Sequence, residues 1–170
     1  MAMSWRFFRL SPGVEMTVRL HDRAFDPWRE IAAYQAEMPE LRGKHGATAV
    51  FAGTMRDFNQ GDTVRDMYLE HYPGMTEKQL QQIIADAERQ WSVLHTLVVH
   101  RIGEVLPDQT LVLVAVWSAH RGDAFDACRF IMESLKSKAP FWKKERLQSG
   151  EQRWVEKNSS GYLASGEKTP

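Results

Sequence analysis

Lys136 and Lys143 bracket a short apolar break, "SKAPFW", and Lys138 and Lys144 stand close by. Apolar walls and a neighbouring cation both favour a neutral amine. They lower a lysine's pKa toward the range useful for acid–base or nucleophilic work. Lys136 falls at the end of an expected helix and Lys143 follows the Pro-Phe-Trp turn, so a break between them can bring both into one pocket. The competing reading is plain. A lysine near a helix C-terminus complements the macrodipole, and lysines alternating in a hairpin sit in water.

A second candidate is "SAHRGD", at 118–123, between an expected strand and helix. That place offers His120, Arg121 and unpaired backbone N–H groups to a phosphate. The alternative is a surface turn with Arg121 paired to Asp123. Arg56 gains interest only if the fold brings it near 120–121 and 136–143. His71, in "EHYPG", reads as part of a strand-to-helix turn. His95 and His100 lack metal-ligand spacing, and the chain has no HExxH, Cys/His cluster, GxGxxG or P-loop. Neither a metal nor a nucleotide cofactor is expected. Cys128 falls on an apolar helix face and reads as packing rather than as a nucleophile.

Placing these groups requires an ordered set of elements. "MTVRL" alternates as a strand. In "FDPWREIAAYQAE", Asp26 can cap a helix, Pro27 suits its first turn, and Trp28, Ile31, Ala32 and Tyr34 give a rough apolar face. "GATAVFAGTM" reads as a buried strand and "VRDMYLEHY" as its hairpin partner across the turn-rich "RDFNQGD". Thr76 and Gln79 have capping-box spacing. After them Leu80, Ile83, Ile84 and Ala87 line one helical face. "HTLVVHRIG" and "TLVLVAVWSA" read as two strands joined around Pro107 and Asp108. A helix over 122–137 places Ala124, Cys128, Ile131 and Leu135 on one face, with Phe125 and Met132 flanking it, and Pro140 stops it. "PFWKKERL" and "QRWVEK" form a last hairpin turning at Ser149-Gly150. The order β-α-β-β-α-β-β-α-β-β predicts an α+β fold with two to three helices and mostly antiparallel sheet. We expect one domain over 1–157 and a disordered tail over 158–170.

The 170 residues carry 22 basic and 22 acidic side chains, so bulk charge gives no general nucleic-acid coat. From Lys136 to Lys157, however, seven basic residues face three acids, a net of +4 that suits an anionic partner. The single cysteine excludes an internal disulfide and fits a reducing cytoplasm. No run reaches transmembrane length and "MAMSWRFFRL" lacks a signal-peptide core. A soluble cytoplasmic protein with no membrane partner is expected.

Several stretches resemble one family. "FAGTMRDFNQGD", "LEHYPGMTEK", "HRIGE", "SAHRGDAFDACRFIMESLKSKAPFWKKE" and "RWVE" stand in the order and spacing of the large, catalytic subunit of molybdopterin synthase, over roughly 46–157. The resemblance implies an α/β-hammerhead fold. It also implies a sulfurtransferase that converts cyclic pyranopterin monophosphate into molybdopterin by adding two dithiolene sulfurs. The sulfur donor is a small ubiquitin-like subunit with a thiocarboxylate on its C-terminal Gly-Gly tail. The large subunit is implied to form a homodimer inside a heterotetramer.

By the same resemblance Lys136 and Lys143 are the catalytic pair. Pterin and phosphate contacts fall on Thr54, Met55 and Arg56, on His120 and Arg121, and on Lys143, Lys144 and Glu145. Phe51 and Met132 are pocket walls, and Arg153 lies near the partner tail or second subunit. The segment 54–58 departs from the Lys-Val before the arginine and Asn-His after it that many relatives carry. Two other classes remain in view. One is a non-catalytic binding module on the same fold. The other is an RNA-binding domain with Phe141 and Trp142 as stacking platforms, which the balanced charge and missing RNA motif disfavour.

Overall fold

Two sheets frame the site, and the first has four strands. A computed structural model describes residues 15–155. The expected tail lies outside the described residues. The elements, in chain order, are β1 (Glu15–His21), α1 (Pro27–Glu37), β2 (Ala47–Thr54), β3 (Phe58–Asn59), β4 (Asp62–His71), α2 (Met75–Gln90), β5 (Val93–Arg101), β6 (Gly103–Val105), β7 (Thr110–Ser118), α3 (Arg121–Lys138), β8 (Phe141–Leu147) and β9 (Gln152–Trp154). A 3-10 turn, Pro39–Leu41, follows α1. The class is α+β. Among the described residues only β1 and β5 pair in parallel; the other ladders are antiparallel.

The first sheet runs β1-β5-β7-β2. Both faces of its central strands are covered, and β7 reads as an unbroken apolar run from Leu111 to Trp117. Val98, Val112, Val114 and Val116 face Ile83 and Ile84 of α2 and Ala127, Cys128 and Ile131 of α3. Leu97, Val99, Leu113, Ala115 and Trp117 face Tyr34 of α1 with Met38 and Leu41. Each such aliphatic side chain contributes about 1.5–3 kcal/mol of transfer free energy. The second sheet holds β3, β4, β8 and β9, with β6 also on β4. It closes over Met55, Val64, Met67, Leu69, Val105 and Leu147.

Four expectations are corrected. The strand over 46–55 does not pair with that over 64–72: β2 pairs with β7, and β4 belongs to the second sheet. The intervening segment makes its own hairpin. Gln60 and Gly61, at φ 52° and 87°, form a two-residue turn that joins β3 to β4. The α2 cap is Gly74, whose N–H donates to Glu77 at 2.7 Å. Thr76 is instead fully buried, and its hydroxyl accepts from the Tyr72 N–H at 3.1 Å. On α1, Trp28 and Ala32 are exposed, and Ile31, Tyr34 and Met38 make the inward face. Phe125 is also exposed, because α3 turns it away from the sheet. As expected, Asp26 caps α1 by accepting from the N–H groups of Trp28 and Arg29, and α3 ends before Pro140.

Candidate active site

The break at Pro140 turns the chain from α3 into β8 within two residues, so the end of a helix and the start of a strand face one another. Lys136 sits in the last turn of α3. Along β8 the side chains alternate, and Phe141, Lys143 and Glu145 point to one face while Trp142 and Lys144 point to the other. Lys136 and Lys143 thereby line the same cleft, which encloses about 440 Å³. Thr54, Met55 and Arg56 enter it where β2 leaves the first sheet. Phe51 and Met132 contribute apolar wall.

The electrostatics follow from this placement. Burial, then the Lys136 charge, lowers the Lys143 pKa below the usual lysine value, and Glu145 partly opposes them. Glu145 is 2% exposed and both its oxygens are engaged. One accepts from the Asn59 side-chain amide at 2.7 Å, the other from Arg153 Nε at 3.0 Å. Arg153 also donates to Asp62 at 2.7 Å and to the Asn59 carbonyl at 2.9 Å. The pair therefore pins the β3–β4 hairpin to β8 beside the cleft. Arg56 lies 4.8 Å from the Phe58 ring centroid on that same hairpin segment. The cleft thus presents three cations, Arg56, Lys136 and Lys143, and one acid whose charge is shared with Arg153.

Four residues singled out in the sequence lie elsewhere. His120 and Arg121 are exposed and border a separate depression with Gly46, Ala119 and Gly122, at the N-terminus of α3. Lys136 is at the other end of that helix, about 22 Å away at 1.5 Å per residue. Lys144 lies on the outer face of β8, its Nζ 5.5 Å from the Trp154 ring centroid. Arg153 serves the Glu145 clamp. Period-2 alternation was legible in "FWKKE" and separates Lys143 from Lys144. The structure adds wall residues that the motifs alone did not select, among them Asn59, Leu69, His100 and Phe141. His100 stands in "HRIGE", where it had been weighed only as a metal ligand.

Other expectations concern the same face. Phe141 is stacked on His100 with centroids 3.8 Å apart, so it is not a free platform for a base. Cys128 is buried on α3's apolar face against β7, and burial pushes its thiol up to about 11. Among the described residues no cluster of three or more His, Cys, Asp or Glu could hold a metal, and no helix is long and apolar enough to cross a membrane.

An α+β scaffold carries a cleft in which Lys136 and Lys143 meet beside Arg56. A family model described as "MoaE protein" matches residues 22–138. A molybdopterin synthase catalytic subunit of Ralstonia nicotianae is 51% identical over 140 residues, which are 82% of this chain and 77% of that one. The solved molybdopterin biosynthesis MoaE protein of Burkholderia ambifaria superposes with a TM-score of 0.69 at 46% identity, covering 85% of this chain and 92% of that one. The complex of subunits 1 and 2 of the molybdopterin-converting factor of Helicobacter pylori shares the fold, with a TM-score of 0.69 at 23% identity over 86% of this chain and 99% of that one. The chain belongs to the MoaE family.

Proposed function

We propose that this chain is the catalytic subunit of a molybdopterin synthase. It transfers sulfur from the thiocarboxylated Gly-Gly tail of a small ubiquitin-like subunit to cyclic pyranopterin monophosphate, forming the dithiolene. Membership of the family supports the reaction, and the two-subunit Helicobacter pylori complex supports a small-subunit partner. The observation that carries the reading is the meeting of Lys136 and Lys143 in one cleft, with the Lys143 amine shifted toward its neutral form.

Three anions have to meet there: the substrate phosphate, the partner's thiocarboxylate, and the charge that develops as sulfur attacks. Fixed cations in a partly dry cleft stabilise that charge more strongly than exposed ones. Lys136, at the cleft's helical edge, receives the tail and polarises its acyl carbon, so that water adds there as the sulfur passes to the pterin and the tail departs as a carboxylate. Lys143 orients the pterin and moves protons, and Thr54, Met55 and Arg56 hold the phosphate-bearing end.

His120 and Arg121 are too far from Lys136 of their own chain to share that substrate. We therefore place them in the site of a second copy, within a homodimer that carries one small subunit at each end. Arg153 acts at one remove, by fixing the hairpin beside the tail's entry. One domain works in this way in the cytoplasm.

Single-turnover conversion of cyclic pyranopterin monophosphate, with purified protein and thiocarboxylated small subunit, tests the reading. Product should require both proteins. Lys136→Ala should lose at least about a hundredfold in rate while the complex still forms. An unchanged rate in that variant would remove Lys136 from the mechanism. No product from a complex shown to form would leave a non-catalytic binding module.

A further inference from the structure

Phe58 is 56% exposed, it stands in the wall of the cleft, and none of the roles above uses it. It opens β3, paired with Thr63 across the Gln60-Gly61 turn. The Arg56 guanidinium lies over its ring, 4.8 Å from the centroid. Arg56 is itself exposed and lines the same cleft. Among the described residues it makes no hydrogen bond or ion pair, and the Phe58 ring is the interaction its side chain has. A cation held over an aromatic face spends none of its donors there, so the guanidinium N–H groups remain for a ligand.

The backbone on either side of Arg56 is anchored. Met55 is buried, its N–H donates to the Gln109 carbonyl at 2.9 Å, and its carbonyl accepts from the Asp108 N–H at 3.0 Å. The Asp57 carbonyl accepts from the Val64 N–H at 2.7 Å. Phe58 is held in its turn through Asn59. The Asn59 side-chain amide donates to Glu145 at 2.7 Å, and its carbonyl accepts from Arg153 at 2.9 Å. A chain of contacts therefore runs from β8 and β9 through the hairpin to the Phe58 ring and ends on Arg56. An anchored backbone does not by itself fix an arginine side chain, which keeps rotamer freedom that binding must remove.

We propose that Phe58 is a positioning residue for Arg56: its ring holds the guanidinium in the cleft with the N–H donors uncommitted, so that a phosphate meets an arginine already in place. The gain is preorganisation, since the side chain has less freedom left to lose when the anion arrives. That the phosphate belongs to the pterin rests on the synthase reading; the coupling of Phe58 to Arg56 does not.

Titration of the labelled protein with inorganic phosphate tests the coupling, followed by phosphorus NMR and at the Arg56 Nε–H resonance. Phosphate should shift that resonance. Phe58→Leu keeps an apolar side chain and removes the ring, and phosphate affinity should fall about two- to fivefold, the range of an exposed cation–π pair. The ring-current shift on the Arg56 δ-protons should vanish in the same variant. Phe58→Tyr restores the ring and should recover both. In an Arg56→Ala background, Phe58→Leu should cost nothing further. An Arg56 resonance that ignores phosphate, unchanged affinity in Phe58→Leu, equal losses in the Leu and Tyr variants, or a Leu loss that persists without Arg56 would each overturn the proposal. In turnover, the Phe58→Leu loss should fall on the KM for cyclic pyranopterin monophosphate, with the KM for the small subunit unchanged. A loss confined to the small subunit's KM would overturn it as well. Failure of the unaltered protein to make product would sink the synthase reading instead, with the phosphate titration still deciding the role of Phe58.

Discussion

At the Lys143 amine two physical effects act in the same direction. Burial penalises the ammonium, and the Lys136 charge repels it, while Glu145 opposes both with a charge already committed to Arg153. Removing one contributor should be visible in the other. Lys136→Met should raise the Lys143 pKa toward the ordinary lysine value, followed by NMR titration of the lysine side-chain carbons. An unmoved titration would show that the two amines do not share an environment.

Glu88 of α2 makes the complementary case away from the site. One of its oxygens is buried without a hydrogen-bond partner, and burial pushes the carboxyl up to about 7. Below its unfolded value, near 4.5, both states are protonated and nothing is lost. Between there and about 7 the unfolded chain ionises while the native one holds its proton, so stability falls as pH rises. The side chain is half-exposed and solvent screens it, so the loss is on the order of 1 kcal/mol. Glu88→Gln should equal the unaltered protein at pH 4.5 and exceed it at pH 8 in urea unfolding. A gap that does not depend on pH would refute the assignment.

Among the elements, the junctions govern how the site is held. Gly46 donates its N–H to the Ser118 carbonyl at 3.0 Å, where β2 begins beside the end of β7. A Cβ there would stand 2.3 Å from the Ala119 carbonyl oxygen, which is backbone and cannot rotate away. Gly46→Ala should cost about 1–3 kcal/mol in urea unfolding and displace the His120–Arg121 turn. The other junction is the hairpin of β3 and β4, pinned to β8 through Asn59, Glu145 and Arg153. Arg153→Ala should speed hydrogen exchange over residues 57–62 and leave β5 and β7 protected. Uniform exchange changes would show that the clamp is not local.

On the scale of the whole molecule, the proposed homodimer has a simple arithmetic consequence. Lys136→Ala and Arg121→Ala homodimers should each be inactive. Mixed and allowed to exchange subunits, half of the dimers become mixed, and each of those carries one site free of both substitutions. About a quarter of the unaltered activity should return. No recovery, with exchange verified, would place Lys136 and Arg121 of one and the same chain in a shared site.

The sequence by itself located the three helices and the longer strands, and it placed the two lysines on either side of a break. Local signals carry these: Asp26 with Pro27 at the start of α1, the spacing of Leu80, Ile83, Ile84 and Ala87, and Pro140 ending α3 with a lysine on either side. The long motifs carried the family as well. Pairing was decided only by the tertiary structure. Adjacency in the chain suggested that β2 and β4 form a hairpin, but β2 finds β7 because both are packed against α3, and β4 is half-exposed and turns back through Gln60-Gly61. The structure also decided which lysines meet and which part company. Lys143 and Lys144 are neighbours in sequence and opposites on a pleated strand, and His120 and Lys136 share a helix yet stand at its two ends. A spacing in the sequence measures distance along the chain; burial, register and the end of a helix turn that distance into a site.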